Sequence, residues 1–190
     1  MNAEERARHL ALLREDLAYH QARVLLLVDS VCTTKGHLGK LDGLTKLAKL
    51  DFLLRYPALG SVVLPHLDGE DPRLRLSSDD RAEPTEVEAP MIRYKYGPWD
   101  DRYYPVIGAL VARGLLRYAP ARKGSVALKT TPAGRKLALQ FAASPQWADV
   151  GTRCQAIAEA TVGMTGNALK DLIYGALAEL LDRPHRQVIR

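Results

Sequence analysis

A proline near the start of an apolar segment is the feature that most restricts the fold of this chain. Pro105 has no amide hydrogen, so it fits an α-helix only within the first turn. The apolar side chains that follow it recur at the spacing of one helix face. We therefore expect a helix that begins at residues 102–104 and runs to Arg113, after a turn made by Gly97 and Pro98.

A β-hairpin is expected directly after this helix. The stretches LLRYAP and SVALKTT are rich in large and β-branched residues, and ARKG between them has the composition of a hairpin tip. Thr131 and Pro132 then predict another helix, with the threonine as N-cap and the proline at the first helical position. Two further helices are expected after residue 144.

Two helices and a short third one are expected on the N-terminal side. Leucines and valines at spacings of three, four and seven give residues 3–31 one apolar stripe. A second stripe covers residues 44–54, with Asp42 as its expected N-cap. The stretch 68–90 is different, because it is acidic, contains proline and serine and has no periodicity. We interpret it as an exposed, mobile loop that interrupts the domain, because the segments on either side make one motif together. The alternative is a linker between two domains.

This order of elements predicts a mainly α fold with a winged helix-turn-helix core and a small β-hairpin wing. Residues 1–144 are expected to form the winged-helix-like domain, interrupted at 68–90. Residues 145–190 are expected to form a C-terminal helical extension. The predicted core of the domain is Leu47, Leu50, Leu54, Val106, Ile107, Leu110 and Leu115.

Motif searches give no indication of catalysis. The chain has no phosphate-binding glycine loop, no nucleophile elbow and no histidine pairing that suggests a metal site. Asp100 and Asp101 are adjacent and point in different directions, so they are poor partners for acid/base work. Two cysteines far apart indicate reduced thiols, and no apolar run is long enough to span a membrane. We expect a cytoplasmic protein that is not an enzyme and binds no cofactor.

Positive charge is concentrated in one segment of the chain. The net charge of +5 hides a value of −5 for residues 68–90 and of +8 for residues 91–136. Such segregation indicates an anionic partner for the basic segment. The candidate residues for contact with nucleic acid or with an acidic protein are Arg93, Lys95, Arg102, Arg122, Lys123, Lys129, Arg135 and Lys136.

Three aromatic residues near the predicted helix start have two interpretations. Trp99, Tyr103 and Tyr104 can be partly buried against the neighbouring helix, which is the interpretation we favour. Alternatively, Tyr103 lies on the exposed first turn of the helix, where a groove-entering helix makes its contacts. In either case they are candidates for partner binding as aromatic anchors.

The sequence resembles a family of bacterial defence proteins. The stretch KLAKLDFLLRYP and the later stretch RYKYGPWDDRYYPVIGALVARGLL are similar to the middle component of ABC-three-component systems, the Lamassu-like antiphage operons. The resemblance covers residues 45–116. A weaker likeness, through the same KL helix and YGP turn, is to the antitoxin-type domain Panacea.

The resemblance implies a function without chemistry of its own. It implies an accessory subunit that bridges an ATPase related to the SMC and Rad50 proteins and an effector, often a nuclease. Two alternatives stay open: a stand-alone winged-helix regulator that binds DNA, and an antitoxin-like protein that holds a toxic neighbour. Winged helices also serve as protein-docking modules, so the basic segment is compatible with DNA or with an acidic subunit.

Overall fold

The computed structural model describes residues 16–63, 71–74, 91–94, 97–121, 124–178, 184–187 and 189. This part of the chain is mainly helical with two small antiparallel sheets. The helices are α1 (Leu17–Thr33), α2 (Leu44–Arg55), α3 (Pro57–Val63), α4 (Tyr103–Ala112), α5 (Pro132–Ala142), α6 (Ala148–Ala160) and α7 (Gly166–Ala176). The strands are β1 (Leu41–Asp42), β2 (Ile92–Tyr94), β3 (Gly97–Trp99), β4 (Leu116–Ala119) and β5 (Ala127–Thr130). None of the described helices is long and apolar enough to cross a membrane.

Helix α1 lies at the centre of the molecule. It packs against α4, α5, α6 and β5, and its residues 22–31 are all buried. The prediction of a single apolar stripe is therefore wrong for this helix. Charged Arg23 and Asp29 are buried together with the leucines and valines, because neighbours cover every side of the helix.

The predicted hairpin is confirmed and belongs to a three-stranded sheet. Strands β4 and β5 pair antiparallel, and β1 pairs with the other edge of β5, giving the order β1, β5, β4. The sequence did not predict β1, which has only two residues. Asp42 lies in this strand opposite Ala127, so its expected role as N-cap of α2 is wrong. Gly43 is the residue before α2, at φ 91° and without a side-chain cap.

The expected turn at Gly97 and Pro98 is also wrong. Both residues lie in β3, where Gly97 is opposite Tyr94 and Pro98 is opposite Arg93. Gly97 has φ 117°, and a Cβ atom there would lie 3.2 Å from Cε of Lys49. Glycine is therefore needed for the close approach of β3 to α2 as well as for the backbone conformation.

The helix starts marked by proline are confirmed. Helix α4 begins at Tyr103 and ends at Ala112. Helix α5 begins at Pro132, and Oγ1 of the N-cap Thr131 accepts a hydrogen bond from N of Gly134 at 3.0 Å. The predicted core is confirmed as well, since six of its seven residues are buried in one cluster and Leu115 is half-buried against it.

The acidic loop lies mostly outside the described residues. Its described part is residues 71–74, where Pro72–Leu74 forms one 3₁₀ turn against α6. Arg73 forms an ion pair with Glu159 of α6 at 2.7 Å. The predicted helix before residue 16 also lies outside the described part.

The C-terminal helices α6 and α7 pack on the N-terminal helices. Helix α6 packs against α1, α2 and α5, and α7 packs against α2, α3 and β3. Helix α2 is consequently buried from Lys46 to Arg55.

Candidate functional site

The aromatic residues before and within α4 divide into buried and exposed ones. Trp99 is 8% exposed and Tyr103 is 2% exposed, whereas Tyr104 is 63% exposed. The interpretation of Tyr103 as a groove contact is therefore wrong, because its side chain points into the protein. Its hydroxyl donates a hydrogen bond to Oδ2 of Asp51 at 2.6 Å. The ring of Tyr104 lies beside that of Trp99, with 5.8 Å between centroids.

Tyr103 belongs to a buried ion network that links α1, α2, α4 and the end of β3. Nε of Arg23 donates to Oδ1 of Asp51 at 2.8 Å. Arg55 lies between the two acids and donates to Oδ2 of Asp100 at 2.9 Å and to Oδ2 of Asp51 at 3.4 Å. Both carboxyl groups are therefore held by arginines inside the protein.

The electrostatics of the network keep its acids ionised. Burial acts to raise the pKa of Asp51, but the charges of Arg23 and Arg55 hold this pKa below its usual value. Burial likewise acts against ionisation of Asp100, and the hydrogen bonds from Arg102 with the charge of Arg55 lower its pKa. Burial and the neighbouring carboxylate raise the pKa of Tyr103, which stays a hydrogen-bond donor.

Arg102 belongs to the edge of this network. Its Nε donates to Oδ1 of Asp100 at 2.9 Å, and its backbone N–H donates to the same oxygen at 3.0 Å. His20 lies between Arg102 and Arg23. Its Nδ1 is 2.8 Å from Nη1 of Arg23, and its Nε2 is 2.8 Å from Nη1 of Arg102. Arg102 is a predicted contact residue for nucleic acid or an acidic protein, but within the protein its side chain already contacts Asp100 and His20.

Sequence reasoning missed most of the network, although one signal was present. Asp51 and Arg55 are four residues apart in a helix whose other residues around them are apolar. Such a pair inside an apolar stretch indicates burial as a pair, because a lone charge could not be buried there. Nothing in the sequence indicates that Arg23 and Asp100 complete the same network.

The outer face of α4 carries no charge. We use this name for its four exposed residues, which are Tyr104, Pro105, Gly108 and Ala112. They form one stripe along the helix, and the helix sequence YYPVIGALVA contains no charged residue at all. The tyrosine hydroxyl is the single side-chain hydrogen-bonding group of this face.

The candidate cations lie on several elements. Lys129 is on β5 directly opposite Arg117 of β4, an exposed cation that the prediction did not include. Arg135 and Lys136 are exposed in the first turns of α5. Arg93 is on β2, in the other sheet. Lys95, Arg122 and Lys123 lie outside the described residues. The structure thus brings Lys129 next to a second cation but keeps Arg93 on a different sheet from it.

A groove of about 390 Å³ lies between α1, α5, α6 and the 3₁₀ turn. Arg135 and Asp29 line it from opposite helices, together with apolar Leu26, Ala138 and Leu139. Burial raises the pKa of Asp29, although a hydrogen bond from Thr130 and the charge of Arg135 act to lower it.

Metal ligands and reactive thiols were sought among the described residues. They contain no group of three or more histidine, cysteine, aspartate or glutamate residues that could hold a metal ion. Burial raises the pKa of both free cysteines, Cys32 and Cys154, so neither thiol is activated as a nucleophile. No protein-family model matches the chain, and the comparisons with curated proteins and with solved structures found no match.

Proposed function

We propose that this protein is a non-catalytic, cytoplasmic accessory subunit that docks on a protein partner through a winged-helix core. The observation that carries the proposal is the uncharged outer face of α4. In the same proposal, the partner is an SMC/Rad50-like ATPase, which the subunit bridges to an effector such as a nuclease in an antiphage defence complex.

The topology supports the winged-helix part. The elements α1, β1, α2, α4, β4 and β5 follow the order helix, strand, helix, helix, strand, strand. The first strand pairs with the last one, which also pairs with the strand before it. A winged helix has this order and this sheet. On this interpretation α4 is the recognition helix, and the segment from α3 to β3 is an insertion between the second and third helices.

The surface of α4 favours protein over DNA as its partner. A recognition helix reads bases through polar side chains and holds phosphates with arginine and lysine. The outer face of α4 instead presents a proline, a glycine, an alanine and Tyr104. Small residues allow the close approach of another protein surface, and an exposed tyrosine is a common anchor of protein interfaces.

The identity of the partner rests on the sequence resemblance of residues 45–116.

A second candidate, a stand-alone DNA-binding regulator, is favoured by the cations on the wing and on α5. Arg117 and Lys129 lie opposite each other, and Arg135 and Lys136 follow on α5. Phosphate contacts of this kind give affinity that is independent of base sequence and falls as salt rises. A regulator would protect two half-sites on its own promoter. An antitoxin-like protein would instead form a tight complex with one toxic neighbour.

One substitution separates docking from DNA binding. A Cβ atom at Gly108 meets no atom within 4 Å, so Gly108→Arg adds a long side chain to the middle of the outer face without disturbing the core. We expect it to abolish co-purification with the co-expressed SMC-like ATPase. Gly175→Arg, at an equally open and exposed helical glycine in α7, is the matched control and should leave co-purification intact.

The same variants test the alternative. If α4 instead enters a groove of DNA, the protein acts without the ATPase. The added cation of Gly108→Arg then either strengthens phosphate binding or changes the DNA footprint. Full co-purification of Gly108→Arg with the ATPase would refute docking through α4. Loss with both arginine variants would also contradict it, since the effect would not be specific to this face.

A further inference from the structure

Helix α6 runs parallel to α1 along the groove. The ring of Trp147, the residue before α6, lies 5.0 Å from that of Tyr19 near the start of α1. Further along α6, Nε2 of Gln155 donates to Oγ1 of Thr34 at 3.1 Å, just past the end of α1. These two contacts align the helices from one end of the groove to the other.

Helix α5 runs in the opposite direction. Arg135, in its first turns, is close enough to Asp29 of α1 for its charge to act on that carboxyl group. Phe141, near the end of α5, lies beside Trp147, with 5.8 Å between the ring centroids. The order of side chains along each helix therefore gives their order along the groove.

The groove has an apolar end and a polar end, because all three helices change character at the same level. The end near Trp147 is lined by two leucines and four small residues, which are Leu26, Ala138, Leu139, Ala142, Ala148 and Gly151. The other end is lined by polar residues of the same helices, which are Asp29, Ser30, Thr33, Arg135, Thr152 and Gln155. Such a groove suits a ligand with an apolar tail and a polar head group.

Asp29 is the buried charge of the polar end. It is 8% exposed, and its Oδ1 is buried and accepts no hydrogen bond from the described part of the chain. Thr130 supplies a hydrogen bond to this carboxyl group, whereas Arg135 acts on it through its charge. An ionised carboxylate can accept several hydrogen bonds, and a buried charge normally has a partner in contact. Asp29 therefore has capacity for a cationic donor that approaches through the groove.

The two arginines at the polar end do not exclude a cation. Arg73 also lines the groove, but its charge is compensated by Asp71 and Glu159, each in an ion pair of 2.7 Å. Arg135 is exposed, so solvent and salt screen its charge. The charge that a ligand head group meets at the floor of the groove is therefore that of Asp29.

The acceptors at this end favour an ammonium group over a guanidinium. A guanidinium binds best to two coplanar carboxylate oxygens, but Thr130 already donates to the carboxyl group of Asp29. The exposed hydroxyl of Thr33 donates to the carbonyl oxygen of Asp29 at 2.8 Å, so its own oxygen can accept another donor. An ammonium group has three donors that point in different directions and can use both oxygens.

We propose that this groove binds a small primary amine with an aliphatic chain, whose ammonium group donates to Asp29 and whose chain lies against Leu26, Ala138 and Leu139. The volume of about 390 Å³ is within the range of small-molecule sites. The described residues that line the groove include none of α4, so the site does not depend on the function proposed above. A lysine side chain has the same chemistry, and the experiment distinguishes it from a free amine.

NMR titration of the isotope-labelled full chain with three hexyl compounds tests the site. Hexylamine, hexanol and hexanoate share one chain and differ in the head group. We expect hexylamine to shift amide signals of α1, α5 and α6 and to bind at least about tenfold more tightly than hexanol, as a charge-assisted hydrogen bond predicts. Hexanoate should not bind. Equal affinity for hexylamine and hexanol, or shifts confined to other elements, would overturn the proposal.

Two variants test each end of the groove. Asp29→Asn should abolish the preference for hexylamine and leave the affinity for hexanol unchanged. Burial penalises the charge of Asp29, so we expect this variant to fold. Ala142→Leu fills the apolar end from an exposed position and should abolish binding of both compounds. Ala168→Leu, at an exposed position of α7, is the matched control and should bind as the unchanged chain does.

Circular dichroism shows whether each variant is folded. A folded Asp29→Asn protein that still prefers hexylamine, or unchanged binding by Ala142→Leu, would contradict the proposal. If Asp29→Asn unfolds, the three compounds on the unchanged chain decide the role of the charge. The peptide acetyl-Ala-Lys-Ala-amide identifies the source of the amine. Tighter binding of this peptide than of hexylamine assigns the groove to a lysine of another protein, and weaker binding assigns it to a free amine.

Discussion

Replacing Asp51 with asparagine tests whether the buried ion network holds the helices together. Asp51 is fully buried and accepts hydrogen bonds from Arg23, Arg55 and Tyr103. Asparagine has almost the same shape, so the change removes the charge and leaves the volume unchanged. It leaves two buried guanidinium groups facing a neutral side chain that offers a single acceptor oxygen.

The expected cost follows from this geometry. Removing one partner of a buried ion pair costs about 3–5 kcal/mol, because the remaining charge stays buried without compensation. Asp100 still neutralises part of the charge of Arg55, so we expect the lower half of this range. Even that cost is a large share of the roughly 5–15 kcal/mol by which a domain is stable. Urea unfolding followed by circular dichroism at pH 7 measures the difference.

The dependence on pH provides a second test of the same reasoning. The pKa of Asp51 in the folded protein lies below its unfolded value of about 3.9. Its contribution to stability is therefore complete above the unfolded pKa and is lost as the pH falls through the folded pKa. The stability difference between the unchanged protein and Asp51→Asn should stay constant from neutral pH to about pH 5 and shrink below about pH 4.

A surface pair supplies the matched control. Asp71 forms an ion pair with Arg73 at 2.7 Å, with both side chains partly exposed. Asp71→Asn should cost less than about 1 kcal/mol, as is usual for exposed pairs. A cost for Asp51→Asn as small as that of this control, or a difference that does not change in acid, would refute the stabilising role of the network.

Three further substitutions test the packing around α4 and α5. Gly134→Ala should destabilise the protein by about 1–3 kcal/mol or more, because its Cβ would overlap the carbonyl oxygen of Leu115; a neutral result would show that α5 can move away from Leu115. Leu110→Ala should cost about 2–5 kcal/mol, since Leu110 is buried in the core cluster, and a cost below about 1 kcal/mol would place it at the surface. Gly108→Ala in the same helix should instead stabilise by about 0.4–1 kcal/mol, since nothing lies near its Cβ position, and a loss of stability would contradict the open outer face. Urea unfolding measures all three.

The elements that the sequence predicted well are those determined by local chemistry. Pro105 and Pro132 restrict where a helix can begin, and Thr131 supplies a cap that needs no tertiary partner. The large and β-branched residues of β4 and β5 likewise belong to one local hairpin. Strand β1 could not be predicted in this way, because two residues carry no pattern and the strand exists only through pairing with β5.

The candidate site was less predictable, because burial depends on distant parts of the chain. In α2, Lys46 and Lys49 lie off the stripe of leucines, where solvent is expected, whereas Asp51 follows Leu47 by four residues and lies on that stripe. In the structure all three are buried, and burial together with the charge of Lys170 lowers the pKa of Lys49 to about 8. Tyr103 differs from Tyr104 for the same reason, since only the first of these adjacent residues faces α2.

The covering of α2 also bears on where a partner can bind. In the proposed winged-helix core, α2 and α4 form the helix-turn-helix. A partner then has two helix surfaces to consider, that of α2 and that of α4. Helices α6 and α7 and strand β3 cover α2, and its Asp51 and Arg55 are held in the buried ion network with Arg23 and Asp100. The outer face of α4 stays exposed and uncharged, while the cations lie beside it on the wing and α5. A partner that docks on α4 would therefore be held by shape and apolar contact, with the wing available to an acidic surface or to DNA.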